Sequence, residues 1–137
     1  MSPSTTPVIE ITTYGVLHGE PPAARYNRAP IEIDLTTALR NPHHDPAMRE
    51  LTGLDQVVYQ HVMDTEGARE LLEDALDRIA LASQQTSPLE PVEVHVYCKG
   101  GRHRSVSIGR SLAETLTSWH CQVTLTHRDV AKPVVQS

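Results

Sequence analysis

The stretch Cys98-Lys-Gly-Gly-Arg-His-Arg-Ser105 places a thiol, two glycines, four basic side chains and a hydroxyl within eight residues. Two chemistries need residues of these types at this spacing. The first is catalytic: Cys98, Arg104 and Ser105 satisfy Cys-x5-Arg-Ser/Thr, the pattern of cysteine-dependent phosphatases. There a thiolate attacks phosphorus, an arginine and a ring of main-chain N–H groups hold the phosphoryl oxygens, and the hydroxyl helps the thiolate leave. The second is binding without turnover, in which the same loop cradles a phosphate and Cys98 merely lines the pocket. A phosphatase also needs a general acid. Asp45, Asp64 and Asp129 are the candidates, and none sits in a diagnostic context.

Both chemistries require the stretch to join a strand to a helix. Val92-Glu-Val-His-Val-Tyr97 reads as a strand, and Ile108, Leu112, Leu116 and Trp119, with Ala113 beside them, form the inward stripe of a helix over about 104–118. N–H groups at a helix start have no intrahelical partner and carry the positive end of the dipole, so the junction is an anion site. Gly100 and Gly101 allow close approach and positive φ there, and Lys99, Arg102, His103 and Arg104 add charge. Arg102, Arg104 and Arg110 read as a phosphate-binding cluster first and an RNA contact second.

The other elements follow from periodicity and turn residues. Strands are predicted over Val8–Tyr14, Pro30–Leu35 and Cys121–His127, a short helix over Gln56–Val62 with Asp55 as its N-cap, and a long amphipathic helix from Glu66 to near Ser83. The helical stripe from Leu71 to Ile79 is core. Gln84–Pro91 reads as a linker, His18–Pro22 as a rigid turn, and Arg40–Pro46, with its two prolines, as a loop. The fold class is therefore α/β: one domain with a mostly parallel sheet of about four strands, helices packed on it, and a strand–glycine loop–helix anion site. The strand–helix–strand run at 92–127 reads as a right-handed unit of parallel strands. Ligands bind beyond the carboxyl ends of such strands. Cys98 and His127 arrive at that edge, and Asp34 joins them if its strand runs the same way.

The 137 residues suit one domain, read as 8–133 between a flexible N-terminus over 1–7 and a flexible tail over 134–137. Apolar residues make up 39%, charged residues 21%, and the net charge is −5, which disfavours a general coat on nucleic acid while allowing a local basic pocket. Cys98 and Cys121 fall in what look like neighbouring strands without a framework spacing, so reduced thiols in a cytoplasmic protein are expected. No secretory leader or membrane-length apolar run is visible. No metal site is expected, because the histidines, His43-His44-Asp45 included, lack ligand spacing. His18 and His43 could be surface or site residues, and His61, His95 and His120 surface or core.

Five blocks in order carry a family resemblance: Gly15-Val-Leu-His18-Gly19-Glu-Pro; Asp34 with Arg40-Asn-Pro-His43; Leu51-Thr-Gly-Leu-Asp55; Cys98–Ser105; and Thr126-His-Arg-Asp129. Over about Tyr14 to Pro133 the chain resembles the C-terminal domain of the RNase adapter RapZ. The resemblance implies a sensor that binds a phosphorylated amino sugar, glucosamine-6-phosphate in the adapter, with RNA binding, a partner protein and self-association as further properties. Carried over residue by residue, it implies a ligand site of His18, Asp34, His43, Cys98, Gly100, Gly101, His103 and Arg104. Lys99, Arg102 and Ser105 complete the phosphate loop. Asp34 would suit sugar hydroxyls or an amine. The chain departs from the adapter in having Thr36 where the family often has Arg, and it contains no Gly-x4-Gly-Lys-Ser/Thr loop, so ATP hydrolysis and a bound cofactor are not expected.

Overall fold

A computed structural model describes residues 6–39, 41–85 and 90–135. Four strands, β1 (Val8–Gly15), β2 (Ile31–Asp34), β3 (Val92–Cys98) and β4 (Gln122–His127), form one sheet in the order β2-β3-β1-β4. Every pairing is parallel, so Asp34, Cys98, Gly15 and His127 all arrive at one edge, as the sequence predicts if β2 runs with the rest. Cys98 and Cys121 are not on neighbouring strands, however. β1 lies between β3 and β4, and Cys121 precedes β4. Sequence order cannot reveal a strand inserted from the start of the chain.

The order of the strands dictates which face each connection uses. α1 (Gln56–Met63) and α2 (Ala68–Gln85) connect β2 to β3, and α3 (Arg104–Ser118) connects β3 to β4, travelling the same way across the sheet. The β1-to-β2 connection travels in the opposite sense, so keeping one hand sends it over the other face. The helical face carries Ile9, Ile11, Ile33, Val92, Val94 and Val96, all at most 4% exposed. The opposite face carries Glu10, Glu93, His95 and Tyr97 by strand alternation. There the segment after residue 19 lies against it: the Arg25 N–H donates to Glu93 Oε1 at 3.0 Å and the Tyr26 hydroxyl to Glu10 Oε2 at 2.5 Å. Glu93 and His95 are buried as a pair, His95 Nε2 standing 3.1 Å from Glu93 Oε2. His95 thus belongs to the interior, but on the polar side.

The helices match their predicted positions with local differences. α2 starts at Ala68, after Gly67, whose φ of +90° excludes it from a helix, and continues to Gln85. Ala68, Ala75, Ile79 and Ala82 are buried, with Leu71, Leu72 and Leu76 half-buried against the core. Asp55 is the N-cap residue of α1, yet its carboxylate accepts from the Thr52 N–H at 2.8 Å and makes no bond to the helix. In α3, Ile108, Leu112 and Leu116 are buried as expected, but Trp119 is 53% exposed. It sits one residue past the helix, as its C-cap residue. Short 3-10 turns occupy Val16–His18 and, inside the proline-rich loop, Pro42–His44. Of the expected flexible ends and linker, residues 1–5, 86–89 and 136–137 lie outside the described residues, as does Arg40.

The carboxyl edge is held by a main-chain contact. A Cβ on Gly15 would lie 2.4 Å from Gly100 C, and one on Gly101 would lie 2.5 Å from Gly15 N. Gly101 also has φ +72°. Gly100 does not adopt positive φ, contrary to the expectation for both glycines, and a Cβ there meets only Val135 Cγ2 at 3.9 Å. Gly15→Ala and Gly101→Ala are therefore expected to destabilise the fold by about 3 kcal/mol or more, since the clashing atoms are main chain. Gly100→Ala should stay within about 1 kcal/mol of wild type. Urea denaturation of the three variants checks the contrast, and equal losses would contradict it.

Candidate functional site

β3 delivers Cys98 to the sheet edge, residues 99–103 turn, and α3 begins at Arg104. The N-cap residue of α3, His103, supplies no side-chain acceptor to the first turn. The N–H groups opening the helix therefore keep their donor capacity and dipole for something outside the helix. The Lys99 carbonyl accepts from the Leu17 N–H at 3.0 Å, which docks the turn containing His18 onto the loop.

Cys98 is 3% exposed. Its thiol donates to Ser105 Oγ at 3.2 Å, and its sulfur accepts from the Gly101 N–H at 3.3 Å. Cys98, Gly101 and Ser105 thus brace the turn from within. That uses one loop N–H on sulfur.

The cations of the loop point to different places. The two terminal nitrogens of Arg102 donate to the carbonyls of Val130, Lys132, Glu50 and Leu51, tying two remote segments together. His103 Nε2 stands 3.1 Å from the carbonyls of Met48 and Arg49, so it carries the proton. Burial and then the adjacent Arg102 hold its pKa below the ordinary 6.5, leaving it neutral at pH 7. Arg110 lies away from the loop, 3.9 Å over the Tyr59 ring and paired with Glu114. Arg104 is the buried cation, 3% exposed, with Nη1 donating to the carbonyls of Thr36 and Ala38. Burial lowers its pKa, while Cys98 and Asp34 oppose that shift, which places the guanidinium in the field of both.

Asp34 is exposed at the end of β2, and its Oδ1 accepts from the N–H and hydroxyl of Thr36 at 2.8 and 2.6 Å. Among the described residues, its other oxygen has no hydrogen-bond partner. Thr36, the departure at this position, therefore acts by orienting the carboxylate. His43 lies in the Pro42–His44 turn, capped by Asn41, whose Oδ1 accepts the His43 N–H at 3.1 Å. Burial, then Arg49 and His44, keep the His43 pKa below 6.5, so it too is neutral at pH 7.

His43, Cys98, Lys99, Gly100, Arg102 and His103 line one cavity of about 20 Å3, together with Asn41, Val134 and Val135. His18, Asp34 and Arg104 are not on its wall. Arg104 lies on the side of the loop facing the Thr36–Ala38 carbonyls, and His18 on the turn docked at Lys99. Among the described residues, the buried side-chain nitrogens or oxygens without a partner are His18 Nε2, Arg102 Nε and Arg104 Nε. All three belong to residues expected at the ligand site.

A residue that sequence reasoning assigned differently anchors this edge. Asp129, one of the candidate general acids, is fully buried and accepts from the Gly15 N–H at 2.8 Å, from Arg128 Nε and Nη2 at 3.0 and 2.9 Å, and from Lys132 Nζ at 2.5 Å. Burial pushes its pKa up, but the bonds from Arg128, Gly15 and Lys132 outweigh that and hold it at about 2. It is an ionised anchor and cannot donate a proton near pH 7. The sequence signals were its place at a strand end between Arg128 and Lys132 and in the block Thr126-His-Arg-Asp129. Asp45 accepts from the Ala47 N–H and Asp64 from Gln60, both locally.

This arrangement defines a class: a small domain with a parallel sheet, its helices on one face, and a glycine turn leading from a central strand into a helix. The match of residues 7–131 to the RapZ C-terminal domain model shows that the chain belongs to that family. Relatives include proteins named nucleotide-binding protein from Bifidobacterium longum (34% identical over 93% of the chain), Carboxydothermus hydrogenoformans (33% over 90%) and Thermobifida fusca (31% over 89%). The alignments cover only 38%, 42% and 40% of those relatives. No helix among the described residues is long and apolar enough to cross a membrane.

The Asp129 anchor has a measurable pH signature. Its carboxyl titrates at about 2 in the fold and near 3.8 when unfolded, so its contribution is complete above the unfolded value and is lost as pH falls through about 2. The displacement corresponds to roughly 2 kcal/mol at pH 7. Asp129→Asn is expected to be less stable by about 3 kcal/mol at neutral pH, because Arg128 and Lys132 lose their buried partner. Its stability should also vary less than wild type between pH 4 and 2. Chemical denaturation across that range measures both, and parallel curves would refute the anchor.

Proposed function

We propose that this domain binds a phosphorylated small molecule at the strand–glycine loop–helix junction and does not turn it over. The observation that carries this reading is the set of buried nitrogens without an acceptor, on His18, Arg102 and Arg104, around an α3 start whose N–H groups are uncapped. Buried polar atoms are otherwise nearly always paired, and an anion with several acceptor oxygens satisfies such a set. Asp34, with a free oxygen in the field of Arg104, suits an amine or hydroxyl on the same ligand. An amino-sugar phosphate such as glucosamine-6-phosphate presents that combination. The about 20 Å3 now enclosed under Val134 and Val135 is room for little more than a water, so phosphate binding there moves this segment.

The state of Asp129 supports binding over phosphatase turnover: of the candidate general acids it is the one anchored at the carboxyl edge, and it is locked as a carboxylate. A net charge of −5 and the engagement of Arg102 and Arg110 by protein acceptors favour a small ligand over an RNA surface.

Calorimetry with glucosamine-6-phosphate, glucosamine and inorganic phosphate is expected to show binding by the first, weaker binding by phosphate and none by glucosamine. Arg104→Gln should weaken the sugar phosphate at least about tenfold, the loss of one charge-assisted contact, and Arg104→Lys should weaken it less, with circular dichroism confirming the fold of each. No heat from any phosphate at millimolar concentration would overturn the proposal. Hydrolysis of an aryl phosphate that is abolished by Cys98→Ser would replace it with catalysis.

A further inference from the structure

A second concavity adjoins the anion loop. Asn41, which lines the small cavity at Cys98–His103, also lines an open groove of about 430 Å3 whose other walls are His44, Asp45, Pro46 and His61. The Asn41 Oδ1 is used on the His43 N–H, so its amide N–H groups are the donors left for a ligand at the junction of the two spaces. An imidazole wall runs continuously across that junction. His43 lines the cavity, His44 lines the groove, and their rings meet edge to face at 5.7 Å.

The contents of the groove differ from those of the loop. Among the described residues its lining has no lysine or arginine and offers two imidazoles, a proline ring and one carboxylate. Neither the His44 nor the His61 ring has a side-chain hydrogen bond among the described residues, whereas one Asp45 oxygen accepts from the Ala47 N–H and the other is left over. Imidazole and proline rings offer faces on which a flat partner stacks, and a carboxylate oxygen accepts from N–H donors at its edge. No group of three or more His, Cys, Asp or Glu side chains among the described residues is placed to hold a metal ion.

We infer that this groove is a subsite for a nucleobase: the phosphate of the ligand sits at the Cys98–Ser105 loop, and a heteroaromatic ring bearing N–H donors lies between His44, Pro46 and His61 with its edge toward Asp45. The inference rests on the phosphate-binding reading and extends it, because Asn41 lines both the cavity at the loop and the groove, so that one ligand can span the two. A space of this size accepts a base with its ribose. Stacking of a base on such rings tolerates different bases, so the subsite selects for a ring more than for one base.

The experiment is calorimetry with guanosine monophosphate, adenosine monophosphate, ribose 5-phosphate and inorganic phosphate, on wild type, His61→Ala and His44→Ala. Both nucleotides are expected to bind at least about tenfold tighter than ribose 5-phosphate, the size of one stacked base. Each variant, shown folded by circular dichroism, should lose about that advantage and leave inorganic phosphate within twofold. Equal affinity for the nucleotides and ribose 5-phosphate, or nucleotide binding indifferent to both variants, would overturn the subsite while leaving the phosphate site standing. Failure of every phosphate to bind would overturn both.

Discussion

The carboxyl edge of the sheet depends on one buried carboxylate. Asp129 receives the Gly15 N–H, the Arg128 guanidinium and the Lys132 ammonium in a spot without solvent, and so fixes the end of β1, the end of β4 and the segment that follows to one another. The Gly15–Gly101 contact is possible only because β1 is held at that height, where its main chain touches the turn after Cys98. The glycine loop after Cys98 is therefore not a self-contained turn. Its shape comes from a strand nearly ninety residues earlier in the chain and an aspartate nearly thirty residues later.

The topology also explains why polar groups are buried on the face away from the helices. Insertion of β1 between β3 and β4 obliges its exit to travel back over the opposite face. That passage is proline-rich and without regular structure, so it brings unpaired main-chain donors onto the sheet. Glu93 and Glu10 accept from Arg25 and Tyr26, and His95 shares the buried space with Glu93. A face of alternating polar residues, which in a sequence reads as solvent-facing, is here partly roofed by a loop.

Charge alone did not decide the roles within the loop. Lys99, Arg102, His103 and Arg104 are consecutive or nearly so, yet they meet three different fates. Lys99 is exposed; Arg102 and His103 hold the 48–51 and 130–132 segments by their carbonyls; Arg104 is buried near Asp34 and Cys98. The backbone turn sends Arg102 and His103 toward the 48–51 segment and Arg104 toward the 36–38 segment, so neighbours in sequence are separated in space. The apolar segment at Val134 and Val135 lines the cavity wall.

The sequence by itself determined the elements and their polarity. Alternation of Val, Ile and Thr marked four strands, the 3.6-residue repeat marked α2 and α3, and Cys98–Ser105 marked a glycine turn from a strand into a helix, because each of these is a local property of neighbouring side chains and turn residues. Asp34, Cys98 and His127 reached the same edge for the same reason, once the strands were parallel. Tertiary structure alone decided that β1 parts the cysteines, that Trp119 faces out, that Asp129 is an anchor and not an acid, and which cations keep free donors for a ligand. Those outcomes depend on burial and on partners far away in the chain, and a charge or thiol has no fixed chemistry until the groups that surround it are in place.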